Sequence, residues 1–278
     1  MLPVMLKAAL PAVPGVNLLP GLRKTGTELP ELTLTADAAV EAEHVAAYAA
    51  LCGFPRKDTL PLTYPHLLAF RSHLRIMTDA SFPLPAIGTV HLENSITQHR
   101  PIALTERLEV TARPADLRPH AKGRVFDMLT TVHSGGELVW EETSTFLRRG
   151  ASTGSTTGTA FPEAPPHGVE WKLPGDLGRR YAAVSGDHNP IHLYGLTAKA
   201  FGFPRQIAHG MWSLARCVGA IENRLPDAVT VEVAFKRPIL LPGTVAFGSR
   251  PVDAGHAFSL SSPQTGAPHL AGAAAPAT

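Results

Sequence analysis

The sequence predicts an α+β protein built from two similar halves, and three observations support that prediction. Apolar residues first recur at helical spacing and then, from about residue 90, alternate with polar residues as in strands. A helix followed by antiparallel strands is an α+β pattern. Short strings also repeat in the same order: YAALCG at 48–53 returns as YAAVSG at 181–186, and RPI at 100–102 returns at 237–239. We therefore predict an internal duplication.

The first half, residues 1–149, begins with an apolar segment broken by three prolines, which predicts an extended surface arm over 1–17. The elements that follow are predicted from periodicity and from Gly and Pro punctuation. They are a strand at 31–36, helices at 40–51 and from Pro65 to about Met77, and strands at 90–96, 108–112, 126–132 and 138–147.

Residues 150–168 are rich in Gly, Ser, Thr and Pro, which predicts a flexible linker. The second half, 169–278, then repeats the pattern. It has an apolar helix at 211–222 and strands at 229–235, 244–247 and 256–260. The last eight residues, AGAAAPAT, have no large side chain to bury, so we expect them to fray.

Composition excludes several classes of function. The formal net charge is only +2 over 278 residues, and no Lys/Arg block suggests a nucleic-acid partner. Cys52 and Cys217 lie far apart without metal-type spacing, so we interpret both thiols as core residues of a reduced, cytoplasmic protein. No stretch is long and apolar enough to predict a membrane span.

Asp187 and His192 are the first candidate functional residues. They lie five positions apart in a turn marked by Gly186, Asn189 and Pro190, so both side chains can converge. A carboxylate beside an imidazole suits general acid–base catalysis. The alternative is a capping aspartate and a buried structural histidine. His188 and His192 also have a possible metal spacing, but no third ligand follows, and we predict no metal.

His209 and Gly210 precede the predicted apolar helix. The first N–H groups of a helix lack intrahelical partners and favour negative charge, and glycine lets a ligand approach them. Gly210 is therefore a candidate anion-stabilising donor, although close packing alone would also explain it. Ser213 has no nucleophile-elbow motif around it and is interpreted as a helix residue.

Basic residues near this region are candidate phosphate or acidic-protein contacts, and solvated surface is the alternative for each. They are Arg179, Arg180, Arg205, Lys236 and Arg237.

The first half lacks the proton-transfer pair. Counted from the shared glycine, Phe54 and Thr59 stand where Asp187 and His192 stand in the second half, and the loop to His66 is shorter than the loop to His209. This difference predicts that one half catalyses and that the other was reshaped to hold substrate.

The segment 181–222 closely resembles the hydratase motif of the MaoC-like family, which contains (R)-specific enoyl-CoA hydratases and 3-hydroxyacyl-thioester dehydratases. The matching strings are SGD at 185–187, NPIH at 189–192, GF at 202–203 and IAHGM at 207–211. The first half is similar, more weakly, to the degenerate repeat of two-repeat members.

The resemblance implies a double hot-dog fold and reversible syn addition of water to a trans-2-enoyl thioester. By motif position, Asp187 and His192 would activate the water and the Gly210 N–H would polarise the thioester carbonyl. Asn189 and His209 would contact substrate. Lys236 and Arg237 are candidate substrate contacts because of their charge and their nearness to the site in sequence. Some family members have a serine two turns into the central helix, where this chain has Val218.

The implied substrate carrier is coenzyme A or an acyl carrier protein, with no metal or redox cofactor. The protein would be a monomer or a homodimer, because a two-repeat chain resembles a fused dimer. Two alternatives stay open on the same fold: an acyl-CoA thioesterase and a non-catalytic subunit that binds acyl thioesters.

Overall fold

The computed structural model describes residues 26–278 except 87, 152–153, 156–157, 166–167 and 254. The predicted arm at 1–17 lies outside the described residues. The strands are β1 Leu34–Ala38, β2 Thr89–Gln98, β3 Leu108–His120, β4 Gly123–Ser134, β5 Glu137–Arg149, β6 Val169–Leu173, β7 Val229–Phe235, β8 Gly243–Val252, β9 Gly255–Ser261 and β10 Pro268–Pro276. The helices are α1 Ala42–Cys52, α2 Pro65–Thr78, α3 Leu177–Ser185, α4 Pro190–Leu193, α5 Gly195–Ala200 and α6 Gly210–Ile221, with a 3-10 turn at Glu222–Arg224.

In the described part of the chain, ten strands form one antiparallel sheet in the order β1-β3-β4-β5-β2-β7-β10-β9-β8-β6. The first five positions come from the first half and the last five from the second. The halves join where β2 pairs with β7, with Ile96 opposite Val231 and Thr97 opposite Thr230. The hydroxyls of that threonine pair are 2.9 Å apart. The predicted α+β class is confirmed.

The helices begin and end where the sequence signals lie. Pro65 occupies the first turn of α2, a position that needs no N–H donor. Gly53 after α1 and Gly186 after α3 are both left-handed, each with φ 75°, which closes the two helices as glycine readily does. Helix α6 is enclosed by the core, and both Cys217 and Val218 on it are fully buried.

The C-terminal tail corrects the prediction from sequence. Instead of fraying, residues up to Pro276 form β10, which pairs with β7 on one side and β9 on the other. At one position the strand requires a glycine: a Cβ on Gly272 would collide with the Glu232 carbonyl and the Phe258 ring. Backbone hydrogen bonds on both edges therefore hold a segment that has few large side chains of its own.

The two halves also share a core. Tyr48 and Tyr181 are both buried, with ring centroids 6.3 Å apart. A Cβ on Gly219 of α6 would lie 3.0 Å from the Gly53 carbonyl, so the missing side chain allows α6 to approach the end of α1. Both cysteines lie in this core as free thiols, as predicted.

Between the halves, residues 150–168 contact the sheet at several described points. The Thr159 N–H donates to Glu93 Oε1 at 2.6 Å, and the Ser259 hydroxyl donates to the Pro165 carbonyl at 3.2 Å. Within the described residues, no helix is long and apolar enough to cross a membrane.

Candidate active site

Asp187 is positioned by the turn that ends α3. The left-handed Gly186 reverses the chain, and the Asp187 N–H then donates to Ser185 Oγ at 3.1 Å. The carboxylate accepts from the Asn189 N–H through Oδ1 at 3.0 Å. This Asx-type turn directs Oδ2 away from its own backbone and leaves it for other partners.

His192 lies on the short helix α4, one turn beyond Asp187. Asn189 caps α4, and Pro190 occupies its first turn. The buried His192 ring donates from Nδ1 to the Ile207 carbonyl at 2.8 Å. Because a carbonyl oxygen only accepts, that bond assigns the proton to Nδ1 and leaves the Nε2 lone pair free.

His209 connects the two groups. Its ring stacks on His192 with a centroid distance of 3.7 Å, and its Nε2 donates to the Asp187 carbonyl at 3.0 Å. The Asp187 Oδ2 lies 3.6 Å from the same nitrogen. His209 is 2 % exposed and precedes α6. It therefore holds the Asp187 turn against the start of the buried helix.

At neutral pH the site contains one anionic group, the Asp187 carboxylate, and two neutral imidazoles, those of His192 and His209. Burial alone would raise the pKa of Asp187, but His209, His192 and the Asn189 N–H outweigh it and leave that pKa below its usual value. Burial lowers the pKa of His192, and it lowers the pKa of His209 to about 3. At neutral pH the site therefore presents a carboxylate and a neutral His192 whose Nε2 accepts.

Asp187, His192 and His209 bring ligand-type atoms within 4.8 Å of one another, which is a spacing that a metal ion can use. Because His209 Nε2 donates its proton to a backbone carbonyl, the nitrogen of this ring that keeps a lone pair is Nδ1, which has no hydrogen-bond partner among the described residues. His188, which shares the suggestive spacing with His192 in the sequence, is exposed and does not belong to this group.

Gly210 is the first residue of α6, so its N–H is one of the donors that the helix itself does not use. A Cβ at this position would lie 3.2 Å from the Phe235 ring. The two explanations offered by the sequence, close packing and a free N–H, are therefore compatible. Gly210 lines the same cavity as Asp187 and His192.

That cavity has a volume of about 550 Å³ and continues from the second half into the first. Its wall in the first half includes one face of α2, with Phe70, Leu74 and Met77 at helical spacing. Phe146 and Leu147 of β5 add to this apolar lining. The cavity therefore has a polar end, at Asp187 and His192, and an apolar interior in the first half.

The other candidates divide into two groups. Asn189 and His209 line the cavity, and so do the exposed residues Lys236 and Arg237. Arg179, Arg180 and Arg205 are exposed and lie outside the cavity lining. Arg179 donates to the Leu193 carbonyl at 3.0 Å, and Arg180 borders a separate cleft beside Trp171. Ser213 donates to the His209 carbonyl at 3.1 Å, as an ordinary helical serine does.

A buried polar group in the first half was not predicted from the sequence. His66 and His91 line the cavity, and Glu142 and Asn94 are buried behind them. A signal was present in the sequence: Glu142 continues the inward-facing alternation of Trp140 on β5, where an apolar residue is expected.

Comparison with known proteins agrees with this fold. Residues 159–266 match the family described as MaoC like domain. The chain is 40% identical to 3-hydroxyacyl-thioester dehydratase X of Mycobacterium tuberculosis, over 94% of this chain and 92% of that protein. The chain belongs to the MaoC-like dehydratase family.

Two solved structures extend the comparison. The crystal structure of the M. tuberculosis protein HtdX matches with a TM-score of 0.80 and 38% identity, covering 88% of this chain and 100% of that chain. A MaoC-like dehydratase from Phytophthora capsici matches with a TM-score of 0.71 at 21% identity, covering 90% and 96%. The second likeness shows the hot-dog fold alone, and the predicted double hot-dog class is confirmed.

Proposed function

We propose that this protein is a 3-hydroxyacyl-thioester dehydratase that reversibly adds water, with (R) stereochemistry, to trans-2-enoyl thioesters of fatty-acid metabolism. One observation carries the proposal. An Asp187 carboxylate, a neutral His192 and the free N–H that opens α6 border one cavity, which continues into an apolar interior. The named relative from M. tuberculosis supports the same class of reaction.

The water would lie between Asp187 and His192. Both groups accept hydrogen bonds at neutral pH, so one water can donate one hydrogen to each, and its oxygen lone pair then points to the substrate. Attack on C3 makes the C3–O bond while one of the two groups takes the proton. The same side of the site then returns a proton to C2, which gives syn addition.

Polarisation of the thioester carbonyl is assigned to Gly210. As water attacks C3, the electrons of the C2=C3 bond move toward the carbonyl, and negative charge develops on its oxygen. A backbone N–H at a helix N-terminus is a preorganised donor for that charge, and loss of such a donor costs about 3 kcal/mol in other enzymes. The reaction needs no redox step, and this donor supplies the polarisation without a metal.

The two halves would divide the work. In this proposal residues 169–278 catalyse, residues 150–168 link the halves, with contacts to the sheet at Thr159 and Pro165, and residues 1–149 hold the acyl chain along the apolar face of α2. Lys236 and Arg237 are exposed at the cavity and have the charge to meet the phosphates of coenzyme A or the acidic surface of a carrier protein. Free buried thiols support a cytoplasmic protein. A monomer and a homodimer are both compatible with the fused sheet.

Incubation with trans-2-enoyl-CoAs of graded chain length tests the proposal. We expect loss of the conjugated double bond and formation of the (R)-3-hydroxy product, with no release of free thiol. Thiol release without hydration would identify a thioesterase instead. Saturable binding of acyl-CoA without either reaction would identify a non-catalytic subunit.

A further inference from the structure

The wall that the first half contributes to the cavity contains a polar band. His66, at the start of α2, and His91, on β2, both line the cavity. Their rings lie 6.4 Å apart with planes inclined by 24°. An acyl-chain cavity gains nothing from two imidazoles unless they bind something, because a polar group without a partner is costly to bury.

His66 is held in one orientation by a buried network. Its Nδ1 donates to the Glu142 carboxylate at 2.9 Å. The Asn94 side-chain N–H₂ donates to the same carboxylate at 2.6 Å and to Ser144 Oγ at 3.0 Å. The Glu142 side chain is 0% exposed. Since Nδ1 is engaged by Glu142, Nε2 is the nitrogen of His66 available to the cavity.

His91 offers an acceptor. A hydrogen bond with the Glu93 backbone raises its pKa, as donation from the ring to a carbonyl oxygen does, but burial dominates and lowers that pKa to about 3. The ring is therefore neutral at pH 7. Its Nε2 is buried and has no hydrogen-bond partner among the described residues. Stacking on Phe146, at 4.6 Å between centroids, fixes the plane of the ring.

The band lies between the reaction centre and the apolar interior. A Cβ on Gly210 would lie 3.2 Å from the Phe235 ring, and the same ring lies 5.0 Å from the His91 ring. Beyond His66, the cavity-facing residues of α2 are Phe70, Leu74 and Met77, which are spaced at about 6 Å per four residues along the helix. An acyl chain that enters from Gly210 would pass the two histidines before it reaches the apolar face.

We propose that His66 and His91 form a subsite for a hydroxyl group on the acyl chain of the substrate, a few carbons beyond the reacting double bond. The hydroxyl donates to His91 Nε2, in the part of the cavity that the Glu142-oriented His66 ring also lines. A methylene group makes no hydrogen bond there, and a keto or ether oxygen has no proton to donate. This inference rests on the proposed function, because it assigns part of that substrate.

Paired substrates test the subsite. Trans-2-enoyl-CoAs of one chain length are compared with and without a hydroxyl group placed at each carbon from C5 to C9. At one of these positions we expect wild-type kcat/KM to favour the hydroxylated member. The ratio should fall by about tenfold or more in His91→Phe, which keeps the aromatic stacking but cannot accept the hydrogen bond. His73→Leu is the control, since His73 is buried behind His66 and does not line the cavity.

The subsite is refuted if the plain substrate is preferred at every position, or if His91→Phe leaves the ratio unchanged. Either result would mean that the two imidazoles bind ordered water only. Binding of the matching saturated acyl-CoAs, with and without the hydroxyl group, is measured in parallel by calorimetry. A hydroxyl preference in binding that His91→Phe removes supports the subsite even if enoyl-CoAs are not hydrated. In that case the proposed reaction fails and the subsite stands.

Discussion

The two halves of the chain use the same backbone turn for different purposes. Helices α1 and α3 both end at a glycine with φ 75°, Gly53 and Gly186. After Gly186 comes Asp187, whose carboxylate faces the cavity, whereas after Gly53 comes Phe54, which is 7% exposed and belongs to the core. The turn is a structural device of both halves. The residue that follows it decides whether the half has a proton acceptor.

The histidines at the starts of α2 and α6 differ in a second way. Both are buried and both hydrogen-bond from the ring, but His209 donates to the Asp187 carbonyl and His66 donates to the Glu142 carboxylate. The first half has therefore not become a simple apolar counterpart. It keeps a buried histidine and pairs it with a carboxylate from its own sheet.

The contrast between the halves depends most on whether the second half supplies the catalytic pair, Asp187 and His192. We expect Asp187→Asn and His192→Gln each to lower hydration of crotonyl-CoA by about 10²–10⁴-fold, because each removes a proton acceptor from the water. Steady-state kinetics measures the loss.

Thermal unfolding of the same variants is the control. Tm should fall by much less than the loss of rate would suggest, because both substitutions nearly keep the side-chain volume. Some loss is expected, since Asn lacks the charge that His209 and His192 stabilise and Gln lacks the ring that stacks on His209. Turnover near the wild-type rate in either variant would remove that residue from the catalytic pair.

The sequence predicted much of this arrangement because its signals are local. Alternation of apolar residues located β2, β4, β5, β7 and β9, and the Gly/Asn/Pro turn indicated that Asp187 and His192 converge. Their hydrogen-bond partners could not be predicted. Ile207, which orients His192, lies 15 residues further along the chain, and only the tertiary structure brings its carbonyl to the ring.

The errors and omissions share a physical cause. The tail lacks large side chains, so sequence reasoning predicted fraying, but the stability of β10 comes from ladders with β7 and β9. Glu142 and Asn94 lie on different strands, 48 residues apart, and become neighbours only through the β2–β5 register. Long-range pairing decides both features. The local alternation on β5 places Glu142 inside but does not show which residues it meets there.

The buried pair in the first half gives the next largest effect. Glu142→Gln removes the carboxylate that accepts from His66 and Asn94, and we expect the free energy of unfolding at pH 7 to fall by about 3 kcal/mol. Burial alone would raise the pKa of Glu142, but His66 and Asn94 outweigh it and lower that pKa from 4.5 to about 2. Urea unfolding of both proteins measures the difference.

The pH dependence of the unfolding free energy tests whether the charge of Glu142 causes this stabilisation. Because the folded-state pKa of Glu142 lies below its usual value, its stabilisation is complete above pH 4.5 and is lost as the pH falls toward about 2. The stability difference between wild type and Glu142→Gln should therefore narrow from pH 7 to pH 3. An equal difference at both pH values would show that packing, rather than the charge, accounts for the loss.

The two turn glycines give a matched pair of variants. Gly53→Ala and Gly186→Ala should each lower stability by about 1–2 kcal/mol, because an L side chain is strained at φ 75°. Gly53→Ala must in addition displace the Arg216 guanidinium, which a Cβ at this position would contact. Only Gly186→Ala should also lower kcat, since that turn orients Asp187. Unfolding and turnover are measured on both variants. If Gly53→Ala reduced kcat as strongly, the turns would not have separate roles.

The smallest effect is expected at the exposed residues Lys236 and Arg237. We propose no equivalent substrate contact in the first half. Replacing both with Ala should raise KM for an enoyl-CoA by about fivefold or less at low salt and leave kcat unchanged, since exposed charge pairs contribute little. The effect should shrink at 0.5 M salt because ions screen it. Lys199→Ala, an exposed lysine outside the cavity lining, is the control. A salt-independent rise in KM would indicate lost packing at the cavity, because screening acts on charge and not on shape.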